Sequence, residues 1–329
     1  MNTIIETIDL TKKFGSLKAV DRVNMKVEQN EIFGLLGPNG AGKSTIISML
    51  CTILKPTSGT ALVNGYDIVK NPSQVRKSIG IVFQDPSVDD HLTGKENLEI
   101  HADLYGVSAA EKKLQIDTVL ELVELSDRSN ELVRNYSSGM RRRLEIARGL
   151  VHTPKVLFLD EPTIGLDPQS RDHIWSYIRE LMKTKDITVI LTTHYMEEAD
   201  KLCNRIAIVD LGNIVALDTP KNLKEKLGGE TIIIETRNNP LYMEKLKEAG
   251  IGGNVVIAGD EVKLTVDNAH TVLPRVMNIA AINNIFIKSI SIQEPQLDDV
   301  FLHYTGRAIR EGGGKELGGM DAIMRRQIR

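Results

Sequence analysis

The chain has 329 residues, of which 41% are hydrophobic and 26% are charged, and its net charge is -3. This length and composition predict an ordinary globular protein of two domains with a sizeable core. A slightly acidic chain lacks the basic excess with which dedicated nucleic-acid-binding proteins neutralise phosphates, so we expect no nucleic-acid partner.

The first residues of the chain, its apolar runs and its cysteines indicate the expected cellular compartment. Residues 1–6 carry no basic segment followed by an apolar one, so no signal peptide is expected. No run approaches the roughly 18 apolar residues that a membrane span needs, so we expect that the chain does not cross a bilayer by itself. The two cysteines, Cys51 and Cys203, suit a reducing cytosol and are expected to be small buried hydrophobes.

The first predicted elements are strands. Between residues 3 and 36, short runs alternate β-branched and polar residues, which predicts antiparallel strands. Phe14 lies in a polar, loop-like segment next to one of these runs. An exposed ring there is placed to stack on a nucleotide base, and the alternative is a ring packed on the strand below it. The sequence alone favours neither.

A glycine-rich segment at residues 37–45 matches G-x-x-x-x-G-K-[ST] and lies between a predicted buried strand and a predicted helix. Its glycines let backbone N–H groups point toward an anion at the start of the helix. Lys43 is expected to reach the β- and γ-phosphates of a nucleotide, and the Ser44 hydroxyl to bind Mg²⁺. The predicted phosphate-binding loop comprises Gly37, Pro38, Asn39, Gly40, Ala41, Gly42, Lys43, Ser44 and Thr45.

The next buried strand, residues 78–83, ends at Gln84. Ligands of open α/β sheets gather at the carboxyl ends of the strands, so Gln84 is placed to meet the metal or the attacking water. The alternative is an ordinary surface glutamine, which the spacing alone favours.

Residues 90–151 have a purely helical pattern and predict a helical insertion between strands of the sheet. Its last helix begins with small residues, which leave the first N–H groups uncovered and predict a second anion site at Ser137 and Gly139. The alternative is a serine N-cap on an ordinary helix. The run 141–143 consists of three arginines, which we expect to form a solvated face.

A third strand, the apolar run 156–159, leads into Asp160 and Glu161. Asp160 at the tip of a buried parallel strand is expected to lie beside the Mg²⁺ that Ser44 binds. Glu161 points away from that ligand and is expected to orient or deprotonate the attacking water. Asp167 is expected to cap the helix that begins at Pro168.

His194 follows another buried strand, residues 187–193. A neutral histidine at this edge is able to hydrogen-bond a γ-phosphate oxygen, and the alternative is a structural histidine.

The glycine pair 228–229 marks a domain boundary. Residues 228–305 show the element order βαββαβ, which suggests a ferredoxin-like α+β domain with a regulatory or dimer-forming role. Residues 306–329 are expected to form a flexible tail, and contact of its basic end with a membrane or a partner is the less favoured alternative.

Taken together, these motifs resemble the ATP-binding subunit of an ABC transporter over residues 3 to about 227. The resemblance implies an α/β fold, namely a P-loop ATPase domain (1–227) with a mixed sheet, an antiparallel β edge and a helical subdomain (about 90–151). It also implies ATP and Mg²⁺, with Gln84 and Asp160 joining Ser44 at the metal. By the same resemblance, Phe14 stacks on adenine, Glu161 is the general base, His194 senses the γ-phosphate and Asp167 communicates between subunits.

Two tracts, residues 136–145 and 297–307, resemble the daunorubicin-resistance type of drug exporter. The usual family signature L-S-G-G-Q is altered here, because Tyr136, Ser138 and Met140 replace Leu, the first Gly and Gln. Ser137 and Gly139 remain, so we expect nucleotide binding to survive with altered turnover.

The expected mechanism needs partners, because a rigid sheet holds the loop with Lys43 apart from Ser137 of the same chain. Two subunits packed head to tail would bury two ATP molecules, and a separate membrane permease would receive the motion at the cytoplasmic face of the cell membrane. The expected function is an ATPase that drives export of a drug-like or other hydrophobic compound. The alternatives are an ABC-type ATPase that acts on nucleic acid or ribosomes and an ATP-gated regulatory module.

Overall fold

The computed structural model describes residues 2–184, 186–251 and 254–306, so the predicted tail beyond Gly306 lies outside it. The described chain forms two compact units, residues 2–219 and 220–306. The sequence placed this boundary between Leu227 and Gly228. The difference is one short helix, Pro220–Glu225, which packs against the helix Leu297–Thr305 of the second unit.

The first unit contains two sheets with helices around them. Its strands are β1 (Thr3–Phe14), β2 (Leu17–Glu28), β3 (Ile32–Leu36), β4 (Ser58–Val63), β5 (Tyr66–Asp67), β6 (Ile79–Val82), β7 (Val156–Asp160), β8 (Thr188–Thr193), β9 (Arg205–Asp210) and β10 (Asn213–Asp218). Its helices are α1 (Lys43–Leu50), α2 (Pro72–Ser78), α3 (Gly94–Leu104), α4 (Ala109–Leu122), α5 (Ser138–Leu150), α6 (Pro168–Thr184) and α7 (Met196–Leu202).

The larger sheet has the strand order β10-β9-β3-β8-β7-β6, and its neighbours are parallel except for β9 and β10. Every residue of β3, β7 and β8 is buried, because helices and the second sheet cover both faces. This burial explains why these strands are continuous apolar runs in the sequence. Their register pairs Leu36 with Thr193 and Asp160 with Thr192, so three strands end together at one edge.

The smaller sheet is antiparallel, with the order β2-β1-β4-β5. Its first hairpin closes between Phe14 and Leu17, where Gly15 takes a φ of 59°. Phe14 is therefore the last residue of β1, and the predicted loop at this position is wrong. The strand continues through the polar residues because Lys12 and Lys13 still pair with β2.

The helical region consists of α3, α4 and α5 with two short 3-10 turns, Ser126–Arg128 and Val133–Asn135. The first two helices have Thr93 and Ser108 as N-cap residues, whose side chains accept from the backbone N–H three residues on. Helix α5 packs on β6 with almost nothing between the two backbones. A Cβ atom on Gly80 would lie 2.0 Å from the carbonyl oxygen of Gly149.

The second unit contains α8 (Pro220–Glu225), β11 (Glu230–Thr236), α9 (Asn239–Glu248), β12 (Asn254–Ala258), β13 (Glu261–Val266), α10 (Ala269–Ile282), β14 (Ile287–Gln293) and α11 (Leu297–Thr305). Its antiparallel sheet has the order β12-β13-β11-β14, which is the ferredoxin-like arrangement predicted from the element order. Tyr242 is fully buried in its core and donates its hydroxyl to the carbonyl of Val276 at 2.8 Å.

Among the described helices, none is both long and apolar enough to cross a membrane.

Three rings form a cluster at the end of the helical region. The ring centroids of Tyr105 and His152 lie 3.8 Å apart, and those of His101 and Tyr105 lie 4.8 Å apart. Burial, with the nearby charge of Arg148, lowers the pKa of His101 from 6.5 to about 4. Burial also lowers the pKa of His152. Both imidazoles are therefore neutral in the folded protein at neutral pH.

The tight packing of α5 on β6 predicts that Gly80→Ala destabilises the first unit by ~3 kcal/mol, because a methyl group there overlaps a backbone carbonyl. Gly106→Ala is the control, since it has open space and costs only about 1 kcal/mol through its left-handed backbone. The measurement is urea unfolding followed by fluorescence of the single tryptophan, Trp175, which lies in this unit. Equal losses in the two variants would contradict the packing argument.

The ring cluster predicts a pH-dependent stability. Between pH 4 and 6.5 the unfolded chain protonates His101 more readily than the folded chain does, so the free energy of unfolding falls as the pH falls through this window. His101→Gln should remove part of this dependence in urea unfolding at pH 4.5, 5.5 and 7. His173→Gln, at an exposed site, should keep it all. If the two variants behave alike, His101 is not a source of the dependence.

Candidate active site

The phosphate-binding loop lies between β3 and α1, at the edge where β3, β7 and β8 end. The Gly37 N–H donates to the carbonyl of Thr193 at 3.2 Å, which anchors the loop to the end of β8. Gly42 has a φ of 106°, and a Cβ atom there would lie 2.4 Å from the carbonyl oxygen of Ala19. Because Gly42 also supplies no side-chain cap to α1, the first N–H groups of the helix are open to an anion.

Lys43 lies inside the loop with only 5% of its surface exposed. Its ammonium group donates to the carbonyls of Gly37 at 2.7 Å and Pro38 at 3.1 Å, and it lies 3.5 Å from Glu161 Oε1. Burial lowers the pKa of Lys43, while the carboxylates of Glu161 and Asp160 act in the opposite direction. The loop therefore holds a buried cation beside two buried carboxylates.

Asp160 ends β7 next to the start of α1. Its Oδ1 accepts from the Ser44 hydroxyl at 3.1 Å and also from the Thr192 hydroxyl of β8. Burial raises the pKa of Asp160, and the two hydroxyl donors offset part of that rise. A hydroxyl and a buried carboxylate side by side are hard oxygen donors of the kind that Mg²⁺ prefers. The residues present at this point fit a magnesium ion.

Glu161 follows Asp160 with a φ of 47°, in the left-handed region that residues other than glycine seldom adopt. Its N–H donates to Thr192 Oγ1 at 2.9 Å. His194 Nδ1 lies 2.9 Å from Glu161 Oε2, although neither atom has a well-aligned hydrogen-bond partner among the described residues. Burial raises the pKa of Glu161, but His194 and Lys43 outweigh burial and hold the pKa below its ordinary value.

Two predicted residues lie outside this cluster. Gln84 is exposed beyond the end of β6, and in the described part of the chain no hydrogen bond joins it to Ser44 or Asp160. Phe14 is half-buried against the core of the first unit, and the Lys12 ammonium lies 5.1 Å from its ring centroid. The ring packs on the sheet and keeps part of its surface exposed, so stacking on a base stays a prediction.

The signature residues lie at the start of α5. Ser137 is the N-cap of this helix, and its hydroxyl accepts from the Met140 N–H at 3.2 Å, so the serine-cap alternative is present in the structure. A Cβ atom on Gly139 would lie 3.3 Å from Ser170 Oγ. Ser170 in turn donates to Asp167 through its N–H at 2.9 Å and its hydroxyl at 2.7 Å, and these bonds lower the pKa of Asp167. The signature and the cap of α6 are thus neighbours.

The expectation that residues 141–143 form a solvated face is wrong for Arg142, which is 9% exposed. The helical period places residues 142, 145, 146 and 149 on one face, and that face packs on the sheet. Sequence reasoning also missed Glu145, which is 1% exposed and accepts from the N–H of Val88 at 2.9 Å. The available signal was the position of both charges on the apolar face of the helix, beside Gly149.

Comparison with protein families agrees with this geometry. Residues 20–164 match the family described as ABC transporter. Residues 219–305 match the family described as ATP-binding protein DrrA1-3-like, C-terminal domain. The two matches follow each other along the chain and correspond to its two units.

Characterised relatives match over nearly the whole chain. The linearmycin resistance ATP-binding protein LnrL of Bacillus subtilis is 38% identical over 94% of this chain and 100% of its own length. The daunorubicin/doxorubicin resistance ATP-binding protein DrrA of Streptomyces peucetius is 39% identical over 92% of each chain.

Solved structures match about two thirds of the chain. CbiO1 from Clostridium perfringens, part of the ABC transporter complex cbiONQ, has a TM-score of 0.64 at 30% identity, and the match covers 69% of this chain and 92% of that one. The ATP-binding cassette MJ0796, in a dimeric post-hydrolysis state with ADP and Pi, has a TM-score of 0.59 at 26% identity, over 65% of this chain and 98% of that one. The present chain has the phosphate-binding loop and the paired carboxylates described above, and its relatives agree with them. The chain therefore belongs to the ATP-hydrolysing subunits of ABC transporters, in the daunorubicin-resistance type.

Proposed function

We propose that this ATPase powers the export of a drug-like or other hydrophobic compound through a separate membrane permease, which it binds at the cytoplasmic face of the cell membrane. The proposal rests on one observation above all. Glu161 lies between the loop lysine, 3.5 Å away, and His194, 2.9 Å away, at the strand end next to Ser44 and Asp160. The names of the relatives, which refer to linearmycin resistance, to daunorubicin/doxorubicin resistance and to Nod factor export, support a role in export.

The phosphates of ATP are proposed to bind to the loop 37–45, where the N–H groups at the start of α1 and the Lys43 ammonium supply positive charge. Ser44 and Asp160 would hold Mg²⁺, with Gln84 as a further ligand from the loop after β6. When bound, Mg²⁺ neutralises charge on the β- and γ-phosphates. Phe14 would contact the adenine at the edge of the antiparallel sheet.

Glu161 is the proposed general base for the attacking water. Its low pKa keeps the carboxylate ionised at neutral pH, so it is able to accept a proton. Glu161 Oε2 is buried and lies 2.9 Å from His194 Nδ1. His194, whose Nδ1 faces that oxygen, holds the carboxylate in place and is proposed to contact the γ-phosphate as well.

A second subunit is proposed to complete each site. Ser137 and Ser138 are exposed at the start of α5, where the helix presents its positive end. In a head-to-tail dimer this end, with Ser137 and Gly139, would face the phosphates bound by the partner subunit. Asp167, fixed by Ser170 beside Gly139, would contact the partner near the same point. ATP would then close the dimer, and loss of phosphate would release it.

Glu161→Gln tests the base. We expect turnover to fall by roughly 10²–10⁴-fold while ATP binding persists, because the amide keeps the shape of the side chain but cannot take a proton. Steady-state phosphate release and equilibrium binding of ATP are the measurements. Glu197→Gln, at an exposed residue paired with Lys201, should turn over normally. Near-normal turnover by Glu161→Gln would refute the role of Glu161.

Transport itself is tested by reconstituting the chain with its permease in vesicles. We expect ATP-dependent flux of a hydrophobic antibiotic, and none with Glu161→Gln. ATP hydrolysis that the permease does not stimulate, without flux of any tested compound, would favour a non-transport role.

The second unit is proposed to help pair two subunits. Its helices α9 and α10 pack on the sheet, and alternate residues of β11, such as Ile233, are only half-buried. The residues proposed to bind ATP and Mg²⁺, from Phe14 to His194, all belong to the first unit.

A chain that ends at Thr219 should therefore still bind ATP but dimerise more weakly. We expect its ATP-dependent dimer, trapped by Glu161→Gln, to need roughly tenfold more protein, because losing part of an interface costs about 1.4 kcal/mol or more. Sedimentation at a series of protein concentrations measures this. Unchanged dimerisation and turnover in the shortened chain would exclude the pairing role.

A further inference from the structure

Arg142 extends from the signature helix α5 into the loops of the active site. Its Nε donates to the carbonyl of Pro162 at 2.7 Å, and its Nη1 donates to the carbonyl of Phe83 at 2.6 Å. Its Nη2 donates to two more carbonyls, those of Asp160 at 3.0 Å and Glu161 at 3.1 Å. All three nitrogens of one side chain are thus used by four backbone carbonyls.

The burial of this guanidinium is costly. A charged group is strongly destabilised when it is removed from water, unless hydrogen bonds and opposite charges compensate the loss. For Arg142 the direct partners are carbonyl dipoles, and the carboxylates of Glu145, Asp160 and Glu198 act on it at longer range. An arginine that pointed into solvent from the same helix would avoid this cost. The buried position of Arg142 instead provides its hydrogen bonds to the loops.

Three of the four carbonyls belong to consecutive residues centred on Glu161. The carbonyl of Asp160 lies in the peptide group before the Cα of Glu161, and the carbonyl of Glu161 lies in the peptide group after it. Nη2 donates a hydrogen bond to both of these carbonyl oxygens, and the Glu161 N–H donates to the hydroxyl oxygen of Thr192. Glu161 has a φ of 47°, in the left-handed region that is sterically unfavourable for a residue with a side chain. Arg142 and Thr192 together hold this conformation.

The fourth carbonyl connects the same arginine to the loop after β6. Phe83 immediately precedes Gln84, and one turn further along α5 the carboxylate of Glu145 accepts from the N–H groups of Ser87 and Val88. Arg148 donates to the carbonyl of Ser87 at 2.8 Å. The helix that begins with the signature therefore holds both the Glu161 backbone and the segment 83–88.

We propose that Arg142 is a positioning residue, which holds the backbone of Glu161 so that its carboxylate faces the attacking water and so links that carboxylate to the position of α5. This inference rests on the proposed role of Glu161 as the base. Arg142 touches no reacting atom and acts only through the peptide groups on either side of Glu161.

Arg142→Lys tests the proposal most directly, since lysine keeps the positive charge but carries all its donors on one nitrogen and cannot span four carbonyls. We expect kcat to fall by roughly 10–10²-fold, as a small misplacement of a reacting group can cost that much. The KM for ATP and the Kd for ATP should stay within about twofold, because the phosphate-binding loop is untouched. Wild-type kcat in Arg142→Lys would overturn the proposal.

Arg143→Lys is the matched control on the neighbouring position. Its guanidinium donates to the carbonyl of Val123 and the hydroxyl of Tyr177, away from the loops around Glu161. We expect its kcat to stay within about twofold of wild type. An equal loss in both variants would show a general effect on α5 and would overturn the specific role of Arg142.

A double-mutant cycle separates positioning of the base from an independent effect. In the Glu161→Gln background, Arg142→Lys should lower the residual turnover by less than about twofold, because the group that it positions is already inactive. The full loss in that background would overturn the proposal. Near-normal turnover in Glu161→Gln alone is a different result, which refutes the base and removes the premise.

Loss of fold is distinguished by a second variant, Arg142→Gln, and by thermal unfolding of each protein. Both variants are assayed below their melting temperatures with ATP binding measured in parallel. A kcat loss with intact ATP binding in at least one of them supports positioning. Loss of ATP binding in proportion to loss of turnover in both would overturn it.

Discussion

The parallel register of β3, β8 and β7 is the constraint on which the site depends. It pairs Leu36 with Thr193 and Asp160 with Thr192, so the segments that follow these residues emerge at one edge. Thr192 converts this register into local geometry, because its hydroxyl donates to Asp160 and accepts from the N–H of Glu161. A one-residue slip of β7 against β8 would break both bonds and remove Asp160 from Ser44.

This arrangement shifts the pKa values of the two adjacent carboxyl groups in opposite directions. Asp160 is surrounded by hydroxyl donors, and burial raises its pKa. Glu161 faces Lys43 and His194, which lower its pKa against the effect of burial. Neighbouring carboxyls with separated pKa values are typical of sites where the two groups have different tasks, here the proposed metal ligand and the proposed base.

Much of this site is predictable because motif and strand end coincide. The sequence places Asp160, Glu161 and His194 at the ends of buried apolar runs, and Lys43 and Ser44 at the end of the glycine-rich loop that follows another such run. Parallel strands carry such residues to one edge. The same logic was insufficient for Gln84, because the chain beyond β6 is held by Arg142 and Glu145 on a helix about sixty residues later. Such long-range side-chain contacts leave no local pattern.

Arg142 was missed because charge and helical period gave opposite answers. Three consecutive arginines are usually solvated, yet a period of 3.6 residues puts one of them on the buried face. Two other predictions differ from the structure for a similar reason. At Phe14 the polar residues continue a strand instead of forming a loop, and at the domain boundary the short helix α8 belongs to the second unit. In each case tertiary contacts decided against the composition of a short segment.

The contact between Gly80 and Gly149 is the point where α5 comes closest to β6, near the last turn of the helix. Any tilt of α5 against the sheet would turn about this contact, because the two backbones touch there. Ser137 lies twelve residues from Gly149, or about 18 Å along the axis, whereas Arg142 lies about 10 Å from it. A tilt of ten degrees therefore moves the exposed end by about 3 Å and the guanidinium's anchor by under about 2 Å. A movement at the exposed end of the helix would therefore reach Glu161 as a smaller adjustment.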